Sequence, residues 1–256
     1  GVGGFIVFGG EAAEVAELTR DLRVAAGRPL WLAADLERGA GQQFDGASKL
    51  PPPRALAAHA DPVAAVQQAG RLTGAEARRL GINWVLGPVL DLDNEPRNPI
   101  VGTRSFGPEP ARVAELGGLW AQACMEERVA TCAKHFPGYG AAESGRDYAT
   151  TNIPENELRN VYLPPFNEAV DAGVATLMAS FSDLHGGPAT ANRFLMREFL
   201  RDEWGFTGFV VSDWESIHQI AVHGLTSGDR DSAYEAATAG IDMEMASDAY
   251  SNHLAG

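Results

Sequence analysis

Seven strand-length apolar segments recur along this chain, each separated from the next by a stretch with helical patterning. They span residues 4–8, 30–35, 84–91, 130–136, 176–181, 209–213 and 241–245. Continuous runs of this length read as strands buried on both faces, the habit of parallel sheets. Between them lie amphipathic candidates at 11–26, 62–80, 110–127, 154–172, 192–204 and 231–239. Parallel neighbours need crossover connections, so strand alternating with helix predicts an α/β parallel sheet. The segment 208–217, Gly-Phe-Val-Val-Ser-Asp-Trp-Glu-Ser-Ile, stops its apolar run abruptly at Asp213-Trp214.

Seven units in 256 residues suit a (β/α)8 TIM-type barrel lacking its first strand and the end of its last unit. An open doubly wound sheet fits less well, because no Gly-x-Gly-x-x-Gly follows the first segment. With 45% hydrophobic residues the chain can fill one core, and it reads as a single domain over 1–256. The Pro51-Pro52-Pro53 run is a rigid spacer and not a domain linker. A barrel short of a strand leaves sheet edges open, which predicts self-association. The chain begins on a strand without an initiator Met and ends while entering a helix, so it reads as a fragment and leaves localisation open.

A net charge of −14 argues against nucleic acid or an anionic membrane as partner, and is compatible with neutral ligands. No apolar stretch reaches membrane-spanning length. Cys124 and Cys132 lack metal-ligand spacing and read as buried thiols, and the scattered histidines likewise suggest no metal and no cofactor. Only Lys49 and Lys134 are lysines among twenty basic residues, so Lys134 at a strand end stands out.

Parallel barrels carry their reactive groups at the C-terminal ends of strands. Those ends offer Asp35, Asp91, Lys134-His135, Phe181 and Asp213-Trp214, with Arg104 in the long loop after the third strand. Asp91 reads equally as a site residue or a loop cap. Carboxylates accept from vicinal hydroxyls, Arg and Lys donate to hydroxyl oxygens, and Trp stacks on a sugar ring's apolar face. Lys134 and Arg104 near Asp213 would keep that carboxylate ionised, as a nucleophile must be. A Schiff-base lysine at 134, in an aldolase-type barrel, is the competing chemistry, but it leaves His135 and the Ser-Asp-Trp motif without a role.

Taken together these pieces resemble glycoside hydrolase family 3. The resemblance is carried in order by Ala34-Asp35 with its Gly-rich loop, 87–93 (GPVLDLD), 101–107 (VGTRSFG), 134–140 (KHFPGYG), 188–190 (PAT), 200–208, 212–217 (SDWESI) and 239–245 (AGIDMEM). It implies a retaining, exo-acting β-glycosidase. Asp213 would be the catalytic nucleophile, Asp35, Arg104, Lys134 and His135 would hold the sugar hydroxyls, and Trp214 and Phe181 would line the site.

The loop at 140–148 (GAAESGRDY) is similar to the β-glucosidase branch and lacks the Asp-His pair of the N-acetylglucosaminidase branch, with Ala141 and Asp147 at the corresponding places. In the branch it resembles, the proton donor is a Glu on an α/β sandwich domain that follows the barrel. Glu143 and Asp147 are the candidate acids within this chain. A β-N-acetylhexosaminidase or β-xylosidase specificity, or a sugar-binding barrel without turnover, are the alternatives to release of a terminal β-D-glucosyl residue.

Overall fold

The computed structural model describes residues 2–142 and 150–254. In chain order its strands are β1 (Gly4–Ile6), β2 (Trp31–Ala34), β3 (Trp84–Val85), β4 (Ala130–Phe136) and β5 (Thr150–Thr151). There follow β6 (Thr176–Ala179), β7 (Asp183–Leu184), β8 (Gly187–Pro188), β9 (Phe209–Trp214) and β10 (Met243–Met245). Seven of them form one parallel sheet in the order β1-β2-β3-β4-β6-β9-β10, and all seven coincide with the apolar segments. The sheet curls so that its ends face each other. Phe8, just past β1, meets Trp214 of β9 edge to face, with ring centroids 5.7 Å apart. Among the described residues β1 and β10 form no backbone ladder, so the sheet is an unclosed barrel.

Helices cover the outside, as crossovers in a parallel sheet require. The helices Pro62–Arg79 and Pro110–Met125 pack on each other most closely where Gly70 faces the second helix. A Cβ at Gly70 would lie 2.5 Å from the Trp120 carbonyl oxygen, so the backbones meet there because no side chain intervenes.

Three elements differ from the sequence pattern, one being the helix anticipated at 192–204, which is a π-helix over Phe194–Glu203. The helix anticipated at 154–172 is broken into Glu155–Glu157, a π-helical turn Leu158–Tyr162 and Pro164–Asp171. Pro164 and Pro165 have no amide hydrogen to continue the ladder of the preceding turn. The third apolar segment is regular only over β3, because Gly87-Pro88 interrupts it. It nonetheless continues beside β4, where Cys132 N–H donates to Gly87 O, Lys134 N–H to Pro88 O and Leu90 N–H to Lys134 O. A small sheet, β5-β7-β8, was not foreseen. Its hairpin turns on His185 and Gly186, both at positive φ, the geometry of a two-residue primed turn.

Inside the curl, aromatic rings fill the end of the sheet opposite the strand C-termini. Trp31, Trp84 and Phe209 lie mutually 5.2–5.7 Å apart. Trp84 Nε1 donates to Thr176 Oγ1 at 2.9 Å, satisfying its one polar group. These rings lie beneath a layer of Ile6, Leu86, Met178 and Met245.

Gly70→Ala is expected to lower stability by roughly 1–2 kcal/mol, because overpacking outweighs the alanine's better helix propensity. Urea unfolding measures it; an unchanged midpoint would mean that the two helices lie farther apart than described.

Candidate active site

A cavity of about 470 Å³ opens at the C-terminal ends of the strands. Asp35 and Glu37 reach it from the loop after β2, Arg104 from the short turn Gly102–Arg104, and Lys134 and His135 from the end of β4. Phe181 follows β6, and Asp213 and Trp214 end β9. Asp35, Arg104, Lys134, His135, Phe181, Asp213 and Trp214 therefore line one cavity, and Glu37, Tyr139, Gln42 and Gln43 join them. Glu143 and Asp147 lie outside the described residues.

Glu37 is the main addition. The loop carrying it folds back on itself at Gly39 (φ +81°), where a side chain would run into the Ser48 carbonyl. Leu50 N–H donates to Arg38 O and Gly41 N–H to Ser48 O, tying the loop down. Glu37 is thereby buried and faces two cations. Arg104 donates to it twice, Nε to Oε2 at 3.0 Å and Nη2 to Oε1 at 2.8 Å. Lys134 Nζ lies 2.9 Å from Glu37 Oε1 and donates to Asp35 Oδ1 at 2.6 Å.

Burial by itself would raise the Glu37 carboxyl, but Lys134 and Arg104 hold it well below the usual carboxylate range. Burial likewise opposes the Lys134 ammonium, and the Glu37 and Asp35 carboxylates outweigh it, so this lysine is held more firmly charged than usual. A Schiff-base nucleophile needs a neutral amine and a depressed pKa. The aldolase alternative is excluded by this pairing.

His135 is fixed from behind. Asp91 Oδ2 lies 2.6 Å from His135 Nδ1 and accepts the His135 backbone N–H at 3.1 Å, so Asp91 serves the site and is not merely a loop cap. With Nδ1 turned to Asp91, Nε2 points to Asp213 Oδ2 at 3.7 Å. The Tyr139 ring packs on the imidazole at 4.9 Å.

Asp213 is 8% exposed and only half satisfied. Oδ1 accepts the Trp214 N–H at 2.7 Å, while Oδ2 has no hydrogen-bond partner among the described residues. The chain turns sharply just beyond, with Glu215 at φ +54° and its N–H donated to Met245 O. Burial pushes the Asp213 carboxyl up; His135, the Trp214 amide and Lys134 offset this only in part, and Asp35 adds to it. Of the two cations expected to act on Asp213, Lys134 lowers its carboxyl in part, and Arg104 is engaged with Glu37.

Phe181 stands beside Tyr139, with ring centroids 6.4 Å apart. Trp214 is 44% exposed at the mouth, where its ring is available to a ligand. The arrangement offers paired donors and acceptors for hydroxyls, an aromatic rim and one unengaged buried carboxylate oxygen.

Comparison with known proteins follows the same line. Residues 1–256 match the model for the glycosyl hydrolase family 3 N terminal domain. The periplasmic beta-glucosidase of Salmonella typhimurium is 35% identical over 198 residues, which are 75% of this chain and 26% of that protein. A beta-N-acetylglucosaminidase/beta-glucosidase of Cellulomonas fimi is 35% identical over 236 residues, 86% of this chain and 42% of that one. Among solved structures, beta-glucosidase from Listeria innocua in complex with isofagomine superposes with a TM-score of 0.90 at 31% identity, covering 100% of this chain and 36% of that one. The chain thus spans less than half the length of each of these relatives.

The raised Asp213 carboxyl carries a sign that can be tested. A group whose folded pKa exceeds its unfolded value of 3.8 destabilises the fold increasingly as pH rises through the folded value. Asp213→Asn, which removes the buried charge, is therefore expected to be more stable than the wild type at pH 7. The gain should fade toward pH 3.5. Urea unfolding at the two pH values reads it, and a destabilised Asn variant at pH 7 would refute it.

Proposed function

This chain belongs to glycosyl hydrolase family 3, and from that membership we propose that it is the sugar-cleaving barrel of a retaining, exo-acting β-glycosidase. It releases a terminal β-D-glucosyl residue through a covalent intermediate on Asp213. The observation that carries this reading is Asp213 Oδ2, a buried carboxylate oxygen with no partner among the described residues, lining a cavity of sugar-binding groups. In the reaction Oδ2 attacks the anomeric carbon, the bond to the leaving oxygen breaks, and water later hydrolyses the glycosyl ester. Asp35, Arg104, Lys134 and His135 hold the hydroxyls of the terminal sugar, and Trp214 and Phe181 flank it.

The proton for the leaving oxygen comes from elsewhere. Asp35 and Glu37 are engaged with Lys134 and Arg104, and Asp91 with His135. The donor is therefore assigned to a carboxyl beyond these, on the loop bearing Glu143 and Asp147 or on a further domain. A β-N-acetylglucosaminidase activity is the second reading, because the Cellulomonas fimi relative carries both activities in its name.

The test avoids the missing acid. Dinitrophenyl 2-deoxy-2-fluoro-β-glucoside has a leaving group that needs no protonation, and its fluorine slows release of the intermediate. Intact mass and peptide mapping are expected to show one fluoroglucosyl adduct on the peptide bearing Asp213, abolished in Asp213→Asn. Lys134→Met is expected to slow labelling at least a hundredfold, because it removes a hydroxyl donor and leaves two carboxylates facing each other. An adduct on any other residue, or none on the folded protein, would overturn the assignment. Faster release of nitrophenolate from an aryl β-N-acetylglucosaminide than from the glucoside would favour the second reading.

A further inference from the structure

Glu37 has no contact that requires a ligand, yet both cations of the site converge on it. Its side chain is 8% exposed and that of Lys134 3%, so neither can change partner by turning to water. An ammonium has three N–H donors and a guanidinium five. Lys134 commits two of its three, to Asp35 and Glu37. Arg104 commits Nε and one Nη2 hydrogen to Glu37 in a fork that fixes the guanidinium plane. What remains among the described residues is one Lys134 N–H and three Arg104 N–H groups, one on Nη2 and two on Nη1.

We propose that Glu37 is the positioning residue of this site: its buried carboxylate is the shared counter-ion that aims Lys134 and Arg104, and so determines which of their N–H groups meet a sugar hydroxyl. The inference deepens the glycosidase reading and rests on it for the nature of the ligand. Both Glu37 carboxylate oxygens are engaged by Arg104 and Lys134. It acts through the two side chains it holds, and the acceptor left over on Asp35 complements the donors it leaves free. A hydroxyl between Asp35 and Lys134 can then donate to one and accept from the other, which selects for a neutral polyol over an anionic ligand.

Two measurements test this, and one needs no ligand. Only Lys49 and Lys134 are lysines, so selective ¹⁵N-lysine labelling gives at most two ammonium signals. The Lys134 ammonium and the Arg104 Nε–H are expected to exchange slowly with water in the wild type. In Glu37→Gln both should exchange at least tenfold faster, with Glu37→Asp intermediate because it keeps the charge but withdraws it by one methylene.

The second measurement is inactivation by dinitrophenyl 2-deoxy-2-fluoro-β-glucoside, separated into its concentration dependence and its limiting rate. Glu37→Gln is expected to raise the half-saturating concentration at least tenfold while the limiting rate changes less than threefold. Glu37→Asp should recover part of the loss. A merely structural role would lower the labelled fraction and the melting temperature without that split. Should Glu37→Gln fail to fold, Glu37→Asp carries both readouts.

Wild-type exchange rates retained in the variants would overturn the proposal. So would an unchanged half-saturating concentration in a variant whose wild type labels normally. A wild type that exchanges slowly but takes no label would instead sink the glycosidase reading and leave the exchange result to decide on Glu37.

Discussion

A lysine buried at the end of a central strand is the constraint on which this site is built. Removing an ammonium from water costs several kcal/mol even after relaxation, and the loss is recovered only where carboxylates meet it at good geometry. Lys134 has two such partners, at 2.6 and 2.9 Å. One of them, Glu37, is itself buried and needs a second cation, which Arg104 supplies through a two-point fork. Each charge is tolerable only because the others are present. The loop after β2, the turn bearing Arg104 and the end of β4 are therefore tied together by one electrostatic unit, in addition to the sheet that carries two of them.

The same enclosure treats Asp213 in the opposite way. Glu37 is held below its ordinary range because cations outweigh burial, whereas burial wins at Asp213, whose nearest cationic candidate is His135 at 3.7 Å. Stability contributed by Glu37 is present above its ordinary value of 4.5 and is lost as pH falls below it; the Asp213 contribution runs the other way. Two carboxylates in one cavity thus separate into one that its cations hold as an anion and one whose ionisation burial opposes. Backbone strain is found beside the second, at Glu215 with φ +54°, as is common where a fold holds a reactive group.

Much of this was legible in the sequence, for a physical reason. Strands buried on both faces must be apolar throughout, so each strand is visible as a run, and a polar residue ending that run marks the mouth of the barrel. Asp35, Lys134, His135, Asp213 and Trp214 were found in this way. Glu37 escaped because it lies beyond the strand in a Gly-rich loop, and only the folded loop shows that it turns at Gly39 and leaves Glu37 buried. An acidic residue two positions after a strand-end Asp, in a chain with one unusual lysine, was the available signal. Asp91 stayed ambiguous because a cap and a histidine partner are both an Asp after a strand. The β5-β7-β8 sheet left almost no trace, since two-residue strands carry no period. His185-Gly186 was the one hint of its turn.

The charge around the cavity bears on which step the site favours. Asp35, Glu37, Asp91 and Asp213 bring four carboxylates to it or to the side chains lining it, against Lys134, Arg104 and the exposed Arg38. A neutral sugar gains little from such an excess. On the proposed function, an oxocarbenium-like transition state, with positive charge growing at the anomeric carbon, would gain from it at the moment of bond breaking. On the proposed reading, the pairing of Lys134 and Arg104 with Glu37 has a second consequence beyond aiming their hydrogens. It engages most of their positive charge, so that Lys134 and His135 offset the burial of Asp213 only in part. Donors for the hydroxyls and a negative field at the anomeric carbon would otherwise conflict in so small a space, and a buried counter-ion behind the donors reconciles them.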